Sequence, residues 1–110
     1  MNKYDIILVD LNPVKGSEQS WIRPCIVIQN DYVNKVSKTF VVAIISSVIK
    51  EYPHTLIINK SMLNWLEKKS RIDLLQVRTI DETRIIKKLW ELDFNFRNLL
   101  DEKIKIAFWL

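Results

Sequence analysis

Glycine occurs once in these 110 residues, cysteine once, histidine once and proline three times. An ordinary chain carries about 7% glycine, so roughly eight would be expected. A single glycine leaves no Walker-type or dinucleotide-binding glycine loop. It also leaves no nucleophile elbow, which needs two. One cysteine and one histidine cannot supply the roughly four ligands of a zinc site. One cysteine cannot form an intrachain disulfide, which points to the cytoplasm. Acid–base cleavage by a histidine pair is excluded within one chain, although a dimer could supply one from each. A Ser-His-acid triad would have to rest on His54 alone; a lone His before Thr is more often structural. The longest apolar run, "FVVAII" followed by "SSVI", is too short to span a membrane. The start, "MNKYD", places an aspartate before any apolar run and is not expected to be a signal peptide.

What is present is apolar bulk. Hydrophobic residues make up 48% of the chain, with four Trp, four Phe and three Tyr. A chain of this length fits one domain, residues 1–110, with a real core. The apolar surplus is large for the size, so part of it is expected to meet a partner subunit. The formal net charge is +4, which permits a nucleic-acid partner without demanding one.

Along the chain, "YDIILV" (4–9) reads as a strand buried on both faces. The following "DLNPVKGSEQSW" is a long loop rich in turn formers, and such loops in small domains are usually functional or disordered. Residues 22–30 read as a second strand whose start, at Pro24, must be an edge or a bulge. Residues 31–38 form a polar excursion with about one helical turn. Strands are expected at 39–49, 54–59 and 71–80. "SMLNWLEK" (61–68) reads as a short helix capped by Ser61, and "RIIKKLWEL" (84–92) fits either a strand or a helix. Asp93 can cap a final helix to about residue 108, with Phe96, Leu99, Leu100, Ile104 and Ala107 on one face. The pattern is mainly β (α+β): a small, twisted, partly closed barrel of five or six strands with a C-terminal amphipathic helix.

The lone glycine, Gly16, stands in "KGSEQSWIRP" (15–24). Glycine is required where φ is positive or where something approaches the backbone closely. Arg23 precedes Pro24, which pushes it into extended geometry and helps aim it. Its planar guanidinium matches phosphate oxygens bidentately; the alternative is a surface ion pair with Glu18 or an aspartate. Ser46 and Ser47 end the strongest strand, where successive side chains point to opposite faces. Gln76 and Arg78 share one face of a later strand, and in "RTID" the Asp81 side chain can bond its own backbone. The carboxylates form no compact metal-ligand spacing.

Taken in order, "DIILVDLNPVKGSEQSWIRPCIVIQND", "TFVVAIISS", Pro53 and "LLQVRTIDETRIIKKL" resemble the MazF/PemK toxin family over nearly the whole chain. The resemblance implies an SH3-like (PemK-like) barrel with a C-terminal helix, usually a homodimer. It implies metal-independent, sequence-specific cleavage of single-stranded mRNA, with no cofactor, leaving 2′,3′-cyclic phosphate and 5′-OH ends. It implies an antitoxin partner of the MazE type, acidic with a disordered tail that folds over the groove. By the resemblance Arg23 is the principal catalytic residue and Ser46 assists it. Glu18 is the candidate to take the 2′-OH proton, because a free arginine is a poor base. Lys15, Gly16, Ser17, Gln19, Ser47 and Gln76 are then candidates for the RNA groove. Trp21 either stacks a base or plugs the root of the loop. The chain differs from the common pattern at Tyr4, where the family commonly has glycine, and at Leu75, where an acid often stands. The alternative is a non-catalytic or degenerate toxin on the same fold, acting by binding an antitoxin or a gyrase-type target.

Overall fold

The computed structural model describes residues 1–13, 21–59 and 69–108. The elements are β1 (Asp5–Asp10), β2 (Ile22–Val27), α1 (Asp31–Asn34), β3 (Thr39–Ser46), β4 (Thr55–Ile58), β5 (Ser70–Asp81), a 3-10 turn (Glu82–Arg84), β6 (Ile85–Glu91) and α2 (Phe94–Phe108). The strands form one antiparallel sheet in the order β4-β5-β3-β2-β1-β6. The ambiguous 84–92 segment is therefore a strand: it finds a ladder partner in β1, from Asp5↔Glu91 to Val9↔Ile85. The expected helix at 61–68 lies outside the described residues.

Apolar side chains on both sides of the strands make two cores. Ile6, Ile26, Ile45, Ile58, Ile72, Leu74 and Leu92 pack with Leu100 of α2. Ile7, Val9, Cys25, Val27, Phe40, Val42 and Ile80 form the second, drawn from β1, β2, β3 and the end of β5, with Ile85 at the start of β6 packed against it. β1 is buried on both faces, as its unbroken apolar run predicts. On α2, Phe96, Leu100, Ile104 and Ala107 pack inward. Leu99, expected beside them, is 40% exposed, since it lies at the margin of the stripe next to Leu100. The helix begins directly after Asp93, whose backbone carbonyl accepts from Phe96 N–H at 2.9 Å. Among the described residues no helix is long and apolar enough to cross a membrane.

Tyr4 is the only non-glycine described with positive φ, at 77°. Its N–H donates to Val27 O at 2.8 Å, and its carbonyl accepts from Leu92 N–H at 2.9 Å. The chain must turn sharply here to enter β1, which gives the physical reason why a glycine suits the position.

Candidate active site

Two local features of the sheet build the site. First, Pro24 pairs with Leu8 of β1, but β2 meets β3 only from Cys25 (Cys25↔Ile44) onward. The start of β2 is thus an edge on its β3 side, as a residue with no N–H to give requires. Second, the β3–β5 ladder passes from Ala43↔Val77 to Ile45↔Ile72. Residues 73–76 of β5 therefore stand opposite Ile44 alone, a large bulge of the kind that re-aims side chains beside sites.

The gap between these features is an open depression of about 770 Å³. Arg23 and Pro24 come from β2, Ser46 from the end of β3, Ser47 just beyond it, and Gln76 from the β5 bulge. Leu8 of β1 and Lys87 and Leu89 of β6 complete its far side. The lining therefore crosses five adjacent strands, four interstrand steps or about 19 Å along the sheet. Among the described residues it holds two cations, three serines and an amide, and no carboxylate.

Arg23 is exposed and makes no ion pair among the described residues; its Nη1 donates only to Ile22 O, at 3.0 Å. Of the two roles open to it, the surface ion pair with an aspartate does not occur among those residues. Ser46 Oγ accepts from Val48 N–H at 3.1 Å. That bond uses an oxygen lone pair and leaves the hydroxyl hydrogen available to donate. Ser46 and Ser47 both line the depression, where opposite faces were expected. The reason is that β3 ends at Ser46 and strand alternation no longer governs Ser47.

Lys15, Gly16, Ser17, Glu18 and Gln19 lie outside the described residues. Trp21 is 51% exposed and is not in the lining; its carbonyl accepts from Leu11 N–H at 2.9 Å, closing the root of the loop. Arg84 holds the other side of that root. Its Nη1 donates to Asn12 O, and its Nη2 donates to Pro13 O at 3.5 Å. Gln76 and Arg78 part company, since Arg78 borders a second, smaller depression with Asp10, Asp81 and Arg84. Asp81 Oδ1 accepts from Thr83 N–H at 2.9 Å, so "RTID" is the local turn its sequence suggests.

Two reactive-looking groups stand aside. Cys25 is buried, and burial pushes its thiol up to about 12 against the opposing pull of Arg78 and Arg23. His54 stacks on Tyr52 at 5.3 Å, with Nε2 3.7 Å from Asp73 Oδ1, outside the lining. Among the described residues no three His, Cys, Asp or Glu side chains gather as a metal-binding group. Sequence reasoning missed Lys87 and the apolar floor of Leu8, Ile22, Ile44 and Leu89. The strand-or-helix ambiguity of 84–92 hid Lys87 and Leu89, because no face could be assigned there, and which residues of β1, β2 and β3 share the floor depends on strand pairing.

A sheet of this order, closed by a helix and grooved across its strands, defines a class that comparison with known proteins identifies. Residues 2–108 match the model of the PemK-like, MazF-like toxins of type II toxin–antitoxin systems, and the chain belongs to that family. It is 46% identical over 91 residues to Endoribonuclease MazF of Staphylococcus saprophyticus, covering 81% of this chain and 75% of the relative. It is 39% identical over 105 residues to Endoribonuclease EndoA of Bacillus subtilis, covering 94% and 90%. An endoribonuclease solved with its cognate antitoxin from a Mycobacterial species superposes with a TM-score of 0.80 at 13% identity, covering 97% of this chain and 93% of that one. MazF of Deinococcus radiodurans superposes at 0.73 and 19% identity, covering 96% and 94%. These two likenesses establish the shared barrel-like fold.

Proposed function

We propose that this toxin is an endoribonuclease that cuts single-stranded mRNA at sequence-defined sites without a metal, leaving 2′,3′-cyclic phosphate and 5′-OH ends. The coarse part of the reading, a MazF-like endoribonuclease toxin, rests on the family and on the relatives that carry that name. The finer part rests on one observation: Arg23, Ser46 and Gln76 converge from three strands on a depression whose lining, among the described residues, holds no carboxylate. Such a lining suits a polyanion.

In this mechanism the ribose 2′-oxygen attacks the adjacent phosphorus. A P–O2′ bond forms, the P–O5′ bond breaks, and the 2′-OH proton is lost while the leaving 5′-oxygen gains one. Charge grows on the equatorial oxygens of the phosphorane. Donors from Arg23 and the Ser46 hydroxyl stabilise that charge more than they stabilise the ground state. Glu18 takes the 2′-OH proton. Lys15, Gly16, Ser17, Gln19, Trp21, Ser47 and Gln76 serve the RNA strand and its bases. Residues 1–110 act as one domain in the cytoplasm, as a homodimer that uses exposed apolar side chains such as Val48, Ile49, Tyr52 and Leu75. A MazE-like antitoxin with an acidic, disordered tail silences it by covering the groove.

The test is incubation with a long mixed-sequence RNA in EDTA, followed by mapping of the ends. Discrete cuts bearing cyclic phosphate are expected. Arg23→Ala should lower the rate about 10²–10³-fold, the usual loss for one such donor, without unfolding the protein. RNA left intact at high enzyme overturns the nuclease reading in favour of a toxin that acts by binding.

A further inference from the structure

We propose that Lys87 is a second RNA-contacting cation, holding a phosphate that flanks the scissile one and guiding the strand out of the groove across β6. The inference rests on the nuclease reading above and extends it to a side of the groove that the motif residues do not reach.

Lys87 and Lys88 are adjacent on the same edge strand, yet their surroundings differ. Lys88 Nζ lies 3.0 Å from Glu91 Oε1 and 3.3 Å from Asp5 Oδ1. The Glu91 hydrogen bond, first among the causes, raises its pKa above the ordinary lysine value. That ammonium is engaged in the fold. Strand alternation sends Lys87 the other way, into the depression that Arg23 lines. Lys87 is exposed and has no ion pair among the described residues. Among the described residues the lining holds no carboxylate to act as its counter-ion.

Leu8 pairs with Pro24 on one side and with Lys87 on the other. Two interstrand steps, about 10 Å, therefore separate the backbone beside Arg23 from that of Lys87. A stacked strand rises about 3.4 Å per nucleotide, so the two cations are spaced for different phosphates. Between them Leu8, Pro24 and Leu89 form an apolar floor against which a base or ribose can lie. Among the described residues β6 ends the sheet, with no strand paired beyond Lys87. On that side an RNA strand can leave without threading between described strands.

A flanking phosphate is the same in the ground and transition states, so Lys87 contributes uniform binding. Lys87→Gln should raise KM and leave kcat unchanged. The sharper readout is binding of a mixed-sequence oligonucleotide with every ribose 2′-O-methylated, which cannot be cut, followed by anisotropy against KCl concentration. One lost phosphate contact should reduce the slope of log K against log salt by about 0.7. Between about 50 and 200 mM salt the variant would then lose about 2.6-fold less affinity than the parent. Lys105→Gln, on α2 and outside the groove, should keep the parental slope. An unchanged slope in Lys87→Gln, or an equal reduction in Lys105→Gln, overturns the assignment. If the parent protein cuts RNA while the Lys87 slope is unchanged, only Lys87 is misassigned. If the parent neither cuts nor binds RNA, the nuclease reading fails and takes this one with it.

Discussion

Replacing Tyr4 by glycine should give a more stable protein than replacing it by alanine, the reverse of the usual order. Within regular structure glycine is worse than alanine by roughly 0.5–1 kcal/mol. At φ 77° the Cβ of any other L-residue costs roughly 1–2 kcal/mol. Alanine recovers about 0.4–1 kcal/mol by restricting the unfolded chain, so glycine should lead by about 1 kcal/mol. Tyrosine tolerates the conformation because its side chain ties the N-terminus to α2. Its hydroxyl donates to Asp101 Oδ2 at 2.8 Å, and Lys3 Nζ and the Arg97 guanidinium lie 5.0 Å and 4.9 Å from the ring centre. The bond to the carboxylate contributes about 1.5 kcal/mol, the low end of the charged range because the pair is only part-buried. Each cation adds about 0.5 kcal/mol. Both small variants should therefore fall below the parent, by about 1.5 kcal/mol for glycine and about 2.5 for alanine, and Tyr4→Phe, which loses only the carboxylate bond, by about 1.5. Urea unfolding at one protein concentration reads these values, since association would otherwise shift them. An alanine variant as stable as the glycine variant would refute the claim that strain is stored here.

Leu75, 62% exposed within the β5 bulge, should accept glutamate with little change in unfolding midpoint; the positions cut in a mixed RNA should shift, as end mapping would show. Cys25 should resist alkylation near pH 8 in the folded protein and react once denatured, because its thiol is buried and pushed up to about 12; mass spectrometry distinguishes the two states. Stability should also fall in acid. Asp31 is held below its ordinary 3.8, first by the Lys3 N–H, and Glu91 below its ordinary 4.5 by Lys88. A carboxylate depressed in the folded state contributes above its unfolded pKa and loses that contribution as pH falls through the folded one. The decline should therefore begin below about pH 4.5, and Asp31→Asn should make it shallower in urea titrations.

Legibility differed from segment to segment. The unbroken "DIILVD" run had to be a strand buried on both sides, because a one-sided strand alternates. The stripe of α2 followed from period 3.6, and only the marginal Leu99 was misplaced. Pro24 announced an edge in mid-sheet, since it has no N–H to give. Arg23, Ser46 and Gln76 were found through ordered motifs rather than through geometry. "RIIKKLWEL" alternates too weakly to choose between strand and helix; the ladder to β1 made the choice.

Local sequence thus determined most of the described elements, the turn at Asp81 and the residue types able to meet a phosphate, because φ restriction and side-chain period act within a few residues. Only the tertiary structure decided which of those residues share a surface. The bulge that aims Gln76, the unpaired start of β2 and the pairing that brings Lys87 opposite Leu8 all depend on strand register. Register is set by the cooperative packing of two cores drawn from distant parts of the chain, which no short window of residues contains.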